Sequence, residues 1–87
     1  MASGVINKTF KRKSKTFTNV SFPADDHGIL LNVGENYQYI FLLYSYSAYT
    51  KNLRIYATGT NTSTFMLVGD AGTEGDTIGD ITVVYFV

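Results

Sequence analysis

Eighty-seven residues make one small domain, residues 1–87, and a chain of that size buries only about 60–65% of the surface its unfolded form exposes, so its core alone is marginal. The absence of cysteine excludes disulfides and thiolate metal sites as the remedy, which leaves tight packing or association with copies of itself. Charged residues are 16% against 45% hydrophobic and 15% aromatic, where ordinary soluble domains carry roughly 25% charge; with net charge zero and so little polar surface, a partner surface is expected.

The signs of charge are segregated along the chain. Lys8, Lys11, Arg12, Lys13 and Lys15 all precede the first acid, Asp25. No apolar core segment follows Met1, so no secretory signal is read, and the protein is expected to be made in the cytoplasm. The longest apolar stretch, residues 39–44, is far too short to span a bilayer, so no membrane insertion is expected.

Alanine is scarce, and Thr, Val, Ile, Tyr and Phe dominate the runs between Gly, Asn, Asp and Pro clusters. Those residues suit a pleated surface, and short runs of them between turn residues mark an all-β sandwich or barrel. The expected fold class is all-β, an antiparallel β-sandwich of about seven to eight strands. Seven are read directly. Residues 5–12 and 14–22 form the first two, with the basic run at Lys13 as a hairpin turn and Pro23 as the stop. Residues 29–33 form a third, broken by Gly34-Glu35-Asn36, and residues 37–47 the fourth and strongest. Residues 52–58, 63–68 and 77–87 complete the set, the last paired inside a sheet to its end, because a frayed tail of that composition would aggregate.

A strand with one wet face alternates apolar and polar residues. In the fourth run Tyr37, Tyr39, Phe41 and Leu43 point one way and Ile40, Leu42, Tyr44 and Tyr46 the other. In the last run Ile81, Val83, Tyr85 and Val87 share one side, and Val84 and Phe86 the other. Both sides of these runs need cover. One packs on the facing sheet; for the second, another copy of the chain is expected, with Tyr37, Tyr39, Val84 and Phe86 as the subunit interface. Phe41 is assigned to the core, where truncation to Ala would cost about 3–5 kcal/mol.

Catalytic machinery is not legible. One histidine, His27, lies beside Asp25 and Asp26 in a loop, and the chain holds no cysteine; adjacency in a loop spreads these groups instead of converging them on a nucleophile. No enzyme activity and no cofactor are expected. Asp70, Glu74, Asp76 and Asp80 sit among glycines, a composition that Ca²⁺ uses, but their spacing is not that of an EF-hand, and Asp and Gly are ordinary turn residues. A phosphate loop is rejected, because acids surround Gly69, Gly72 and Gly75 and a strand follows them. Phe10 and Phe17 flank the basic run as a nucleic-acid strip would require, but a neutral domain engages few phosphates, so nucleic acid is disfavoured. The run reads better as a solvated turn or as a partner for an acidic loop of a neighbouring subunit. Asn7-Lys8-Thr9, Asn19-Val20-Ser21 and Asn61-Thr62-Ser63 match the glycosylation pattern by chance in an Asn- and Thr-rich chain without a signal. Tyr44, Tyr46, Tyr49 and Tyr56 form a candidate ligand platform, since tyrosine presents a rigid ring with a polar tip.

The frame Ser14-Lys15-Thr16-Phe17-Thr18-Asn19-Val20-Ser21-Phe22-Pro23, then Gly28-Ile29-Leu30-Leu31-Asn32-Val33-Gly34, is followed by Ile40-Phe41-Leu42-Leu43-Tyr44-Ser45-Tyr46-Ser47. Leu53-Arg54-Ile55-Tyr56 and Ile81-Thr82-Val83-Val84-Tyr85-Phe86-Val87 close it. In strand rhythm this resembles the small β-sandwich at the ends of tail-fibre and other virion-decorating proteins of phages and prophages. The resemblance implies a jelly-roll-like, non-enzymatic structural or receptor-binding module of a virion, a homotrimer that attaches to a glycan or protein receptor on the host surface. The alternative from a different class is a monomeric carbohydrate-binding module using the surface tyrosines.

Overall fold

The computed structural model describes residues 9–87. Six strands and one short helix follow in the order β1 (Arg12–Ser21), β2 (Gly28–Tyr37), β3 (Tyr39–Leu42), α1 (Tyr46–Thr50), β4 (Arg54–Ala57), β5 (Thr62–Val68) and β6 (Thr77–Phe86). They form two antiparallel three-stranded sheets, β1–β6–β3 and β2–β5–β4. Both sheets contribute to one core, in which Phe65 and Leu67 of β5 and Ile81 and Val83 of β6 are fully buried. The rings of Phe17 and Phe65 meet edge to face across it, 5.7 Å apart. The fold is therefore all-β, with six strands among the described residues instead of seven to eight.

The basic run is not a hairpin turn. Residues 12–21 are one continuous edge strand in register with β6, and the ladder extends to Lys11 and Val87, which exchange both backbone hydrogen bonds. The sequence expectation of a strand over residues 5–12 falls partly on residues 5–8, outside the described residues. Charged side chains on an edge strand discourage pairing with another chain, which gives the run a structural task. Lys13 donates to both Glu35 carboxylate oxygens at 2.9 and 2.7 Å, and Tyr85 Oη donates to Glu35 Oε2 at 3.2 Å. This cluster ties the two sheets together at one end of the molecule.

Alternation survives through three irregularities. In β1 the inward residues are Phe17 and then Val20, followed by Phe22 just past its end, because an extra residue at the break in register shifts the phase. Asn19 takes a left-handed backbone there (φ 54°), and its N–H donates to Asp80 Oδ1 at 3.2 Å. Opposite, Gly79 at φ 90° makes the same phase change between Ile78 and Ile81 in β6. In β2 the strand does not stop at Gly34-Glu35-Asn36. It runs through them to Tyr37, with Gly34 at φ 94° supplying the left-handed backbone that the irregular register requires.

The fourth predicted strand is three elements. Tyr37 ends β2 on one sheet, and Gln38 donates its N–H to Phe86 O and starts the pairing with β6 on the other. A chain that passes between facing sheets keeps its alternation, but the side that looked inward now looks outward. Tyr37 is accordingly 3% exposed, with its Oη donating to Thr64 O at 2.6 Å, while Tyr39 and Phe41, of the same phase, are 54% and 57% exposed. Ile40 and Leu42 pack on the core instead. Two sequence expectations are corrected: Phe41 is not a core residue, and Tyr37 does not share a surface with Tyr39.

Residues 46–50 are helical because both ends are capped. Ser45 Oγ accepts from Ala48 N at 3.1 Å, a standard N-cap. At the other end Asn52 adopts φ 51°, its N–H donates to Tyr49 O, and Leu53 N–H donates to Ala48 O at 2.9 Å. That pair of bonds is a Schellman closure, and buried Ala48 and Leu53 supply its apolar contact. Among the described residues no helix is long and apolar enough to cross a membrane.

Candidate functional site

Two surfaces stand out, one apolar and one mixed. The first is the outer face of the β1–β6–β3 sheet. Register places Phe86 between Arg12 and Tyr39, and Val84 between Ser14 and Phe41. Phe10 packs edge to face on Tyr39 (centroids 5.4 Å apart) and Phe41 on Phe86 (6.2 Å). Together Phe10, Tyr39, Phe41 and Phe86 line an open, almost wholly apolar hollow. Of the residues expected at an interface, Tyr39, Val84 and Phe86 are brought together here and Tyr37 is not. Phe10 and Phe41 were missed. The signal for Phe41 was its spacing from Tyr39, once the change of sheet at Gln38 is recognised.

The second surface lies at the end of the molecule where the loops gather. Gly69 N–H donates to His27 O, Gly75 N–H to Pro23 O and Asp70 N–H to Lys51 O, so residues 22–27, 43–53 and 69–76 sit side by side. A groove of about 630 Å³ opens there. Its apolar wall is Leu42, Tyr44, Ala48, Tyr49 and Leu53. Tyr44 and Tyr49 are both exposed, with ring centroids 6.3 Å apart and planes inclined at 57°.

Its polar lining is Thr50, Asn52, Arg54 and Asp70. The Schellman turn aims Asn52 at Asp70, and Asn52 Nδ2 donates to Asp70 Oδ1 and Oδ2 at 3.2 and 3.3 Å. Arg54 Nη1 donates to Asp70 Oδ1 at 3.2 Å and Nη2 to Gly69 O at 3.4 Å. Gly69 is buried, and a Cβ there would lie 2.8 Å from Thr73 Oγ1 and 3.0 Å from Phe22, so this corner is closed to larger residues. Asn52 and Arg54 were not singled out from the sequence, and Asp70 was weighed there only as a turn residue or calcium ligand. The signal was Ser45 and Asn52 bracketing a segment of helical length.

The four tyrosines of the expected platform are split. Tyr44 and Tyr49 line the groove. Tyr46, 81% exposed in the first turn of α1, does not. Tyr56 lies further along β4 on the outer face of the other sheet, in register with Met66, which is itself in register with Leu30.

The acidic loop spreads its carboxylates. Asp70 holds Asn52 and Arg54, Asp76 takes Lys51 Nζ at 3.0 Å, Glu74 accepts from Gly72 N at 2.6 Å, and Asp80 accepts from Asn19 N. The hydrogen bonds from its own backbone N–H and from Gly72 N–H hold the Glu74 carboxyl below the ordinary carboxylate range. His27 Nδ1 is 4.0 Å from Glu74 Oε2. Among the described residues no three His, Asp or Glu side chains converge on one metal position.

The remaining shifted groups belong to the cluster that joins the sheets and to the core. The hydrogen bond from Lys13 holds the Glu35 carboxyl below its usual range and raises Lys13 in return. Burial raises the phenols of Tyr37 and Tyr85, and for Tyr85 the bond to Glu35 acts in the same direction. None of these groups lines either surface. No protein-family model matches the chain, and comparison with curated proteins and with solved structures finds no similar protein.

Proposed function

We propose that this chain is a non-enzymatic attachment module that works as a homo-oligomer, a trimer by its likeness to the jelly-roll-like sandwiches at phage and prophage fibre tips. The observation that carries the reading is the outward aromatic face of the β1–β6–β3 sheet. Tyr39 and Phe41 expose more than half their surface beside Phe10 and Phe86, with Arg12 at the edge of the face, and large rings clustered in this way are what a protein partner covers.

Lys11, Arg12 and Lys13 lie at the end of the molecule marked by Val87 and Gln38, while Asp25, Asp26, Asp70, Glu74 and Asp76 lie at the loop end. A second copy laid on the aromatic face leaves the loop end, with its groove, to face a receptor.

Sedimentation velocity at micromolar concentration tests this. A trimer is expected, with Phe41→Ser reduced to a folded monomer that melts cooperatively at a lower temperature, having lost the association that stabilises the assembly; a wild-type monomer under those conditions overturns it. The second reading, a monomeric carbohydrate-binding module, is favoured by the Tyr44–Tyr49 groove and is separated by the same measurement.

A further inference from the structure

We infer that the groove between α1 and the loop of residues 69–76 binds a neutral pyranose, the sugar ring lying on Tyr44 and Tyr49 with its hydroxyls bonded to Asn52, Arg54 and Asp70. The inference names the ligand class for the attachment reading, and rests on it only in taking the loop end as the receptor-facing end.

Three observations converge. First, Tyr44 and Tyr49 present two inclined, exposed rings to one space. A pyranose is amphipathic, with one face of C–H groups that packs on an aromatic ring and an equator of hydroxyls that needs polar partners. Second, those partners line the same groove and are already ordered. Asp70 accepts from Asn52 and Arg54, and a carboxylate has about four acceptor sites, while the guanidinium carries five N–H donors. Both groups therefore retain capacity, Asp70 to accept from one sugar hydroxyl and Arg54 to donate to its neighbour. Asn52 is held by backbone bonds of the helix cap, so little ordering remains for binding to impose.

Third, the surrounding charge selects against anionic sugars. Of the two cations at this end, Arg54 is paired with Asp70 at 3.2 Å and Lys51 with Asp76 at 3.0 Å. Asp25, Asp26 and Glu74 add further negative charge nearby. A carboxylated or sulfated sugar would meet net repulsion, whereas a neutral ring needs only hydroxyl partners.

The test is an NMR titration of the full ¹⁵N-labelled chain with methyl glucoside, methyl galactoside, methyl mannoside, N-acetylglucosamine and, as the anionic comparator, sialyllactose. At least one neutral probe is expected to shift amides of residues 44–54 and 69–70 and to saturate, with sialyllactose weaker. Tyr49→Ala and Asp70→Asn should each weaken binding by about tenfold, near 1.4 kcal/mol, with an unchanged amide spectrum elsewhere. Tyr46→Ala, outside the groove, should keep wild-type affinity. Saturable binding by none of the neutral probes, tighter binding of sialyllactose, or indifference to Tyr49→Ala overturns the inference. Oligomeric state, read by sedimentation on the same samples, reports separately on the attachment reading: a trimer without sugar binding sinks only the ligand class, and a monomer that binds sugar sinks only the assembly.

Discussion

Residues 28–37 and 39–43 have the same alternating pattern, yet one stretch places its odd-numbered residues inside and the other places them outside. Ile29, Leu31, Val33 and Tyr37 face the core from β2, and Tyr39, Phe41 and Leu43 face outward at β3. Nothing in the side chains distinguishes Tyr37 from Tyr39. The difference is that the chain changes sheets between them, at Gln38. Periodicity tells which residues travel together, and topology alone tells which side is the inside.

Substitutions on the two sides put that contrast to the test. The largest effect is expected in the shared core: Phe65→Ala, at a site with no solvent exposure, should cost about 3–5 kcal/mol in urea denaturation and leave little folded protein. Tyr37→Phe keeps the ring and removes the bond to Thr64 O; a loss of about 1 kcal/mol is expected, and no loss would place Tyr37 outside the core. Ser45→Ala should cost about 1 kcal/mol through the lost N-cap, with the groove amides of residues 46–53 the first to lose hydrogen-exchange protection. Phe41→Ala, measured on dilute monomer, should change stability by about 0.5 kcal/mol or less. A loss as large as that of Phe65→Ala would reverse the assignment of inside and outside in β3.

The pH dependence of unfolding sharpens the contrast for the groups that join the two sheets. Tyr37, Tyr85 and Lys13 have folded-state values raised above their unfolded ones. Their contribution is complete below the ordinary tyrosine and lysine range, about pH 10, and is lost as pH rises through the raised values. Glu35 is lowered, so its contribution is present above the ordinary carboxylate range and is lost as pH falls through its folded value. The urea midpoint should decline at both extremes, and Glu35→Gln should flatten the acid limb while leaving the phenols to shape the alkaline one.

The all-β class, the antiparallel pairing and the two sides of β6 were legible, because Ile81, Val83 and Tyr85 alternate with Val84 and Phe86 through a strand that stays in one sheet. The phase changes at Asn19 and Gly79 and the crossing at Gln38 were not legible, since each depends on a partner distant in sequence. The helix was hidden for another reason. Tyr46, Tyr49 and Thr50 favour strands, and only the caps at Ser45 and Asn52 outweigh them over five residues. Half of the candidate groove was legible as tyrosines. Its polar half depends on a turn that brings Asn52 to Asp70, eighteen positions away.

The passage at Gln38 also constrains how this sequence can change. Any residue with a backbone N–H can replace Gln38, because its bond to Phe86 O is made by the backbone, but the number of residues there is fixed. One inserted or deleted residue would turn Ile40 and Leu42 to solvent and drive Tyr39 and Phe41 into the core, whereas a pair of residues would restore the phase. At this point the fold counts residues before it reads them.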